Sequence, residues 1–129
     1  MSEPKYVLDA SALLAAMLGE TGADAVREIM GSAKIGTVNL SEVIAKLRER
    51  GVPEAAVDES LAELDLHVVA FDRTQADIAG KLRVSTRSAG LSLGDRACLA
   101  LAITSHAIAV TTDGAWSKLD TSLDILLVR

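Results

Sequence analysis

Aromatic side chains are nearly missing from this sequence: Tyr6, Phe71 and Trp116 are the whole set among 129 residues. That excludes nucleic-acid readers of the RRM or OB type, which stack bases on several exposed rings of one surface. Cysteine is represented only by Cys98, so no intrachain disulfide can form, as expected for a reducing compartment. Long apolar runs are absent too. The longest, Ala12–Leu18 and Ala97–Ile103, are seven residues each, far below the roughly 20 that span a bilayer. The N-terminus, MSEPKYVLDAS, enters a strand-like run without the layout of a signal peptide. These absences predict a soluble, cytoplasmic protein with no membrane partner.

Half of the residues are hydrophobic and 24% are charged, which excludes a disordered chain. The length suits one domain over residues 1–129, large enough to bury a core of Leu, Val, Ile and Ala without metal or disulfide staples. A net charge of −5 disfavours non-specific polyanion binding through the summed field. The basic residues are nevertheless concentrated. Lys46, Arg48 and Arg50 form one group, and Lys81, Arg83, Arg87 and Arg96 a second. Such groups hold a polyanion locally or simply face solvent on helices.

Short apolar segments alternate with helical ones. Tyr6–Leu8, Lys34–Val38, His67–Phe71, Ala107–Thr111 and Ile125–Val128 read as strands. Between them, Ser11–Leu18, Gly22–Met30, Leu40–Arg50, Pro53–Leu64, Thr74–Arg87 and Gly94–Ser105 read as helices. The pattern predicts an α/β fold, a three-layer α/β/α sandwich around a five-stranded parallel sheet. In such a sheet the strand C-termini and the following helix N-termini share one edge, where ligands bind.

That edge is acidic. Asp9 ends the first strand, Glu42 opens the helix after the second, Asp95 opens the Ala/Leu-rich helix and Asp113 ends the fourth strand. Each acid has an ordinary structural explanation. Asn39-x-x-Glu42 and Ser92-x-x-Asp95 have the spacing of capping boxes, Asp9 can receive helix N–H groups near Ser11, and Asp113-Gly114 is a common turn pair. Capping does not explain why four separate segments deliver carboxylates to one rim. Grouped anions repel unless a cation neutralises them. An oxygen-only donor set suits Mg²⁺, or Mn²⁺, rather than zinc. Such a centre activates water and stabilises charge at a phosphodiester.

Asp9 in LDASALL, Glu42 in NLSEV, the run Thr86–Ala102 (TRSAGLSLGDRACLALA) and Thr111–Trp116 (TTDGAW) resemble PIN-domain ribonucleases, most closely VapC-type toxins of bacterial toxin–antitoxin pairs. The resemblance implies a PIN-like sheet and endonucleolytic RNA cleavage. Asp9 and Asp95 match the positions expected to bind Mg²⁺ most directly, and Glu42 and Asp113 complete the catalytic quartet. It further implies a homodimer silenced by a small antitoxin protein whose tail occupies the groove. The stretches Thr21–Ala33 and Val52–Leu64 match no sharp motif.

Ser11 and Thr112 are candidates for hydroxyl support of Asp9 and Asp113, and Arg96 for holding a phosphate or offsetting the acids. Cys98 reads as a small core residue, and Trp116 as an apolar cover over the sheet end. His67 and His106 flank strands, and carboxylate–metal chemistry needs neither. Two other functions compete: a receiver-like phosphoacceptor domain, and a catalytically silent PIN-type binding module. The first suffers because Asp9 has no acidic neighbour and only Arg129 follows the last strand. A dehalogenase-like phosphatase would need an acid where Ser11 stands.

Overall fold

The computed structural model describes residues 5–119 and 123–128. Five strands, β1 (Tyr6–Leu8), β2 (Ala33–Gly36), β3 (His67–Val69), β4 (Ile108–Thr111) and β5 (Ile125–Leu127), form one parallel sheet in the order β3-β2-β1-β4-β5. Six α-helices accompany them: α1 (Ala10–Leu18), α2 (Ala23–Ile29), α3 (Thr37–Glu49), α4 (Glu54–Leu64), α5 (Arg73–Ser85) and α6 (Leu93–Ser105). Receivers of the flavodoxin-like type order their strands 2-1-3-4-5, so the receiver reading is excluded by topology.

Strand alternation divides the core in two. Leu8, Ile35 and Val110 point to the face covered by α1, α2, α3 and α4, where Leu13, Val26, Val43, Leu47 and Val57 bury their side chains. Val7 and Ala109 point to the opposite face, against Cys98, Leu99 and Leu101 of α6 and the indole of Trp116. With so few rings available, the apolar contact area comes from aliphatic side chains, each contributing roughly 1.5–3 kcal/mol when fully buried.

Several boundaries move from their expected places. The helix expected at Leu40–Arg50 already begins at Thr37, because β2 ends at Gly36 rather than at Val38. Glu42 therefore lies in the second turn of α3 and does not open it, so the capping box expected at Asn39-x-x-Glu42 does not exist. The run expected as one buried strand, His67–Phe71, is only three residues long, and His67 and Val68 are exposed because β3 is an edge strand. Three short 3-10 segments, Met30–Ser32, Arg87–Ala89 and Gly114–Lys118, occupy stretches with no pattern long enough to betray them. His106 ends α6 in the left-handed region, at φ 51°, with its N–H on the Ala102 and Ile103 carbonyls. This is a capping task, which needs no imidazole chemistry.

Candidate active site

The C-terminal edge of the sheet is built from four chain crossings. β1 runs into α1 through Asp9, whose extended backbone (φ −82°, ψ 175°) lets its own side chain cap the helix by accepting the Ala12 N–H at 2.8 Å. The Ser11 hydroxyl donates to the same oxygen, Oδ1, at 2.7 Å. The other oxygen, Oδ2, accepts the hydroxyl of Thr111. Asp9 is only 3% exposed. Burial raises its pKa from 3.8 to about 6, against the lowering effect of those three hydrogen bonds, and the charge of Asp95 adds to the rise.

Thr111 is the residue that sequence reading missed on this side. Parallel register pairs Leu8 with Val110, so the next residues of the two strands, Asp9 and Thr111, stand side by side. Thr112, the expected support, contributes its backbone N–H, which donates to Ser11 Oγ at 3.0 Å. Thr111 also accepts the Asp113 N–H at 3.0 Å. The Asp113 carboxylate itself turns back to the Ala115 N–H, at 2.9 Å, and starts the 3-10 segment there. Asp113 thus joins the rim through its backbone and Thr111.

The second side of the rim lies between α3 and α6, which pack together. Asp95 does form a capping box with Ser92: it accepts the Ser92 N–H at 2.9 Å while its own N–H donates to Ser92 Oγ at 3.2 Å. Glu42 is half-buried and accepts the Asn39 amide at 2.9 Å. Its pKa is raised by burial and by the charge of Asp95, with the Asn39 hydrogen bond and Lys46 acting in the lowering direction. The charge of Asp95 thus acts on both Asp9 and Glu42. Behind them, burial and then the charges of Asp9, Asp95 and Glu42 push the Cys98 thiol well above its usual range. That leaves Cys98 the inert core residue expected.

Gly94 explains how Glu42 fits so close to α6. A Cβ built on Gly94 would overlap both oxygens of the Glu42 carboxylate. Arg96 goes elsewhere: its guanidinium donates to the Ala79 carbonyl of α5 at 2.9 Å, tying two helices together rather than offsetting the acids. Trp116 is fully buried beneath the rim, against Val7 and α6.

Among the described residues, no three His, Cys, Asp or Glu side chains close into a cage for a metal ion. Each acid instead accepts from a nearby N–H or hydroxyl. The donor chemistry nonetheless fits a hard divalent cation. Every candidate donor is a carboxylate oxygen, and Asp9 and Glu42 are held above their ordinary pKa chiefly by burial, with the charge of Asp95 adding to the rise. Mg²⁺ keeps several waters and is commonly held by one or two carboxylates, so it requires no closed protein cage.

In a parallel-sheet α/β domain ligands bind at the strand C-termini, and this chain brings acids to that edge. Comparison with known proteins narrows the class. The PIN domain family model matches residues 6–121. Ribonuclease VapC42 of Mycobacterium tuberculosis and VapC ribonuclease Mb2780c of Mycobacterium bovis are each 32% identical over 106 residues, covering 74% of this chain and 81% of theirs. Among solved structures, Mycobacterium tuberculosis VapC20, described as a sarcin–ricin loop cleaving toxin, superposes with a TM-score of 0.71 at 19% identity, over 88% of this chain and 93% of that one. VapBC2 from Rickettsia felis gives 0.69 at 16% identity, over 95% and 97%. The chain belongs to the PIN-domain family, in its VapC-type branch.

Proposed function

We propose that this protein is a divalent-metal-dependent endoribonuclease and the toxin of a toxin–antitoxin pair, working on RNA in the cytoplasm as a homodimer. The observation that carries this reading is the electrostatic grouping of Asp9, Asp95 and Glu42 at the strand edge, with Asp9 buried and held above its ordinary pKa. An intact acid set of this kind argues against a silent binding module. The relatives named above are ribonucleases, which supports RNA as substrate. A small antitoxin is the expected partner, as in the related VapBC complexes.

Asp9 and Asp95 would hold the cation, Mg²⁺ or Mn²⁺, with Glu42 and Asp113 flanking it. When bound, that cation lowers the pKa of water and stabilises charge developing on phosphodiester oxygens. The chain's own contributions are positional. Ser11, Thr111 and the Ala12 N–H fix the orientation of Asp9. Glu42 and Asp113 would complete the cleft and orient water or the cation.

The two basic groups differ in availability. Lys46 pairs with Glu49, Arg50 with Glu20, and Arg48 donates to the Val52 carbonyl. In the second group Lys81 pairs with Asp77 and Arg96 is tied to Ala79, but Arg83 and Arg87 have no partner among the described residues. Arg87 stands in the 3-10 segment that packs against Gly114–Lys118, beside the Asp113 turn. Arg87 and the exposed Lys118 are therefore the phosphate contacts we assign to the RNA.

Purified protein freed of antitoxin should cut a susceptible RNA with Mg²⁺ or Mn²⁺ and stop in EDTA. Attack by water with departure of the 3′ oxygen, rather than attack by the 2′-hydroxyl, leaves 5′-phosphate and 3′-hydroxyl ends. Undiminished cleavage in EDTA, or cyclic phosphate ends, would overturn the mechanism.

A further inference from the structure

Asn39 is the most deeply buried polar side chain that the capping and metal arguments leave without a role. It is 1% exposed in the first turn of α3, where asparagine is a poor helix former. Its Nδ2 donates twice, to Glu42 Oε1 at 2.9 Å and to the Gly94 carbonyl at 3.0 Å. Its Oδ1 is buried with no hydrogen-bond partner. Turning the amide over would set that oxygen against two other acceptors, so the orientation is dictated. An unsatisfied buried acceptor is unfavourable, and an apolar side chain of the same volume would avoid it. The two donated bonds are what the residue supplies, and both lead to the rim: one to Glu42, the other to the residue preceding Asp95.

We propose that Asn39 is a positioning residue of the acid site, clamping the Glu42 carboxylate against the bare Cα of Gly94 and so fixing it relative to Asp95. This rests on the metal–carboxylate reading given above. Asn39 touches neither substrate nor cation and acts only through Glu42. Partners of metal-site carboxylates of this kind typically govern affinity or activity by about 10–100-fold.

The test is a double-mutant cycle read by Mn²⁺ affinity in calorimetry, with RNA cleavage and metal-free melting measured beside it. Asn39→Ala, and the near-isosteric Asn39→Leu, should each weaken Mn²⁺ binding and lower kcat about tenfold or more, with KM for RNA little changed. In a Glu42→Gln background the same substitutions should change Mn²⁺ affinity by less than about twofold, because the residue through which Asn39 acts has already lost its charge. Should alanine fail to melt cooperatively, leucine, which removes the orphaned acceptor, decides the matter. Unchanged Mn²⁺ affinity in a folded Asn39 variant overturns the proposal, as does an equal loss in both backgrounds, which would make Asn39 a packing residue. A wild-type protein that binds no Mn²⁺ overturns this inference and the metal-dependent reading together.

Discussion

The two sides of the acidic rim hold their carboxylates by different means. On the β1–β4 side, Asp9 is part of the backbone's own accounting: it caps α1, and two hydroxyls from Ser11 and Thr111 complete its shell. On the α3–α6 side, Glu42 sits at the end of a longer side chain in the second turn of a helix, held by one amide and by the absence of a Cβ at Gly94. The first arrangement is redundant, and losing one of three bonds leaves Asp9 where the strand puts it. The second depends on single contacts. An acid at a strand end is positioned by the fold, whereas an acid on a helix face needs its neighbours to aim it.

The sharpest break of the comparison is Gly94→Ala. The nearest atoms the added methyl meets are those at the flexible end of Glu42, so the fold should survive. Activity should nevertheless fall about 100-fold as Glu42 is pushed from its place. Melting and cleavage measured on one preparation check both halves of this expectation.

On the other side, Thr111→Val keeps the shape and removes the hydroxyl shared by Asp9 and Asp113. Cleavage should drop about tenfold, and stability by about 1–3 kcal/mol as the buried Asp9 Oδ2 loses its donor. A loss as large as that of Gly94→Ala would refute the redundancy assigned to this side.

Proton linkage sharpens the contrast further. With a folded pKa of about 6 against 3.8 when exposed, Asp9 keeps its proton in the metal-free folded state over a range where the unfolded chain has lost it. Its contribution to stability therefore declines as pH rises from about 4 to about 6, on the order of 3 kcal/mol in all. Above that range the loss is complete. Asp9→Asn should flatten the metal-free stability profile across this window, which denaturant melts at several pH values will show. Mn²⁺ affinity of the wild type should weaken below about pH 6, where the proton competes.

The smallest effect concerns the basic residues. Arg87→Ala should reduce the log–log salt slope of RNA binding by about 0.7, while Lys46→Ala, already paired with Glu49, should leave it almost unchanged. Equal slopes for both variants and the wild type would return Arg87 to the status of a solvated surface charge.

The layers and the parallel sheet were legible in the sequence because they depend on local periodicity, and Asp9, Asp95 and Asp113 do stand at element ends, whereas Glu42 lies inside α3. Strand order was not legible, since nothing local says that β1 lies between β2 and β4. Without that neighbour relation Thr112, adjacent to Asp113, looked like the supporting hydroxyl, and Thr111 was passed over. Asn39 was misread for a different reason. A capping-box spacing occurs inside helices as well as at their ends, and the start of α3 at Thr37 converts the apparent cap into a buried clamp. Arg96 looked available beside Asp95, but consecutive helical residues point about 100° apart, and its guanidinium goes to α5.

Asp95 is where capping and catalysis meet, so it tests the central claim most directly. Asp95→Asn keeps an oxygen to accept the Ser92 N–H and removes only the charge. Paired melting curves with and without Mg²⁺, beside an RNA cleavage assay, separate the two roles. If Asp95 belongs to a metal-dependent acid cluster, cleavage collapses, metal-free stability holds or rises as repulsion from Asp9 and Glu42 is relieved, and the stabilisation conferred by Mg²⁺ shrinks. A variant that melts earlier without metal yet cleaves RNA at the wild-type rate would make Asp95 a helix cap and nothing more.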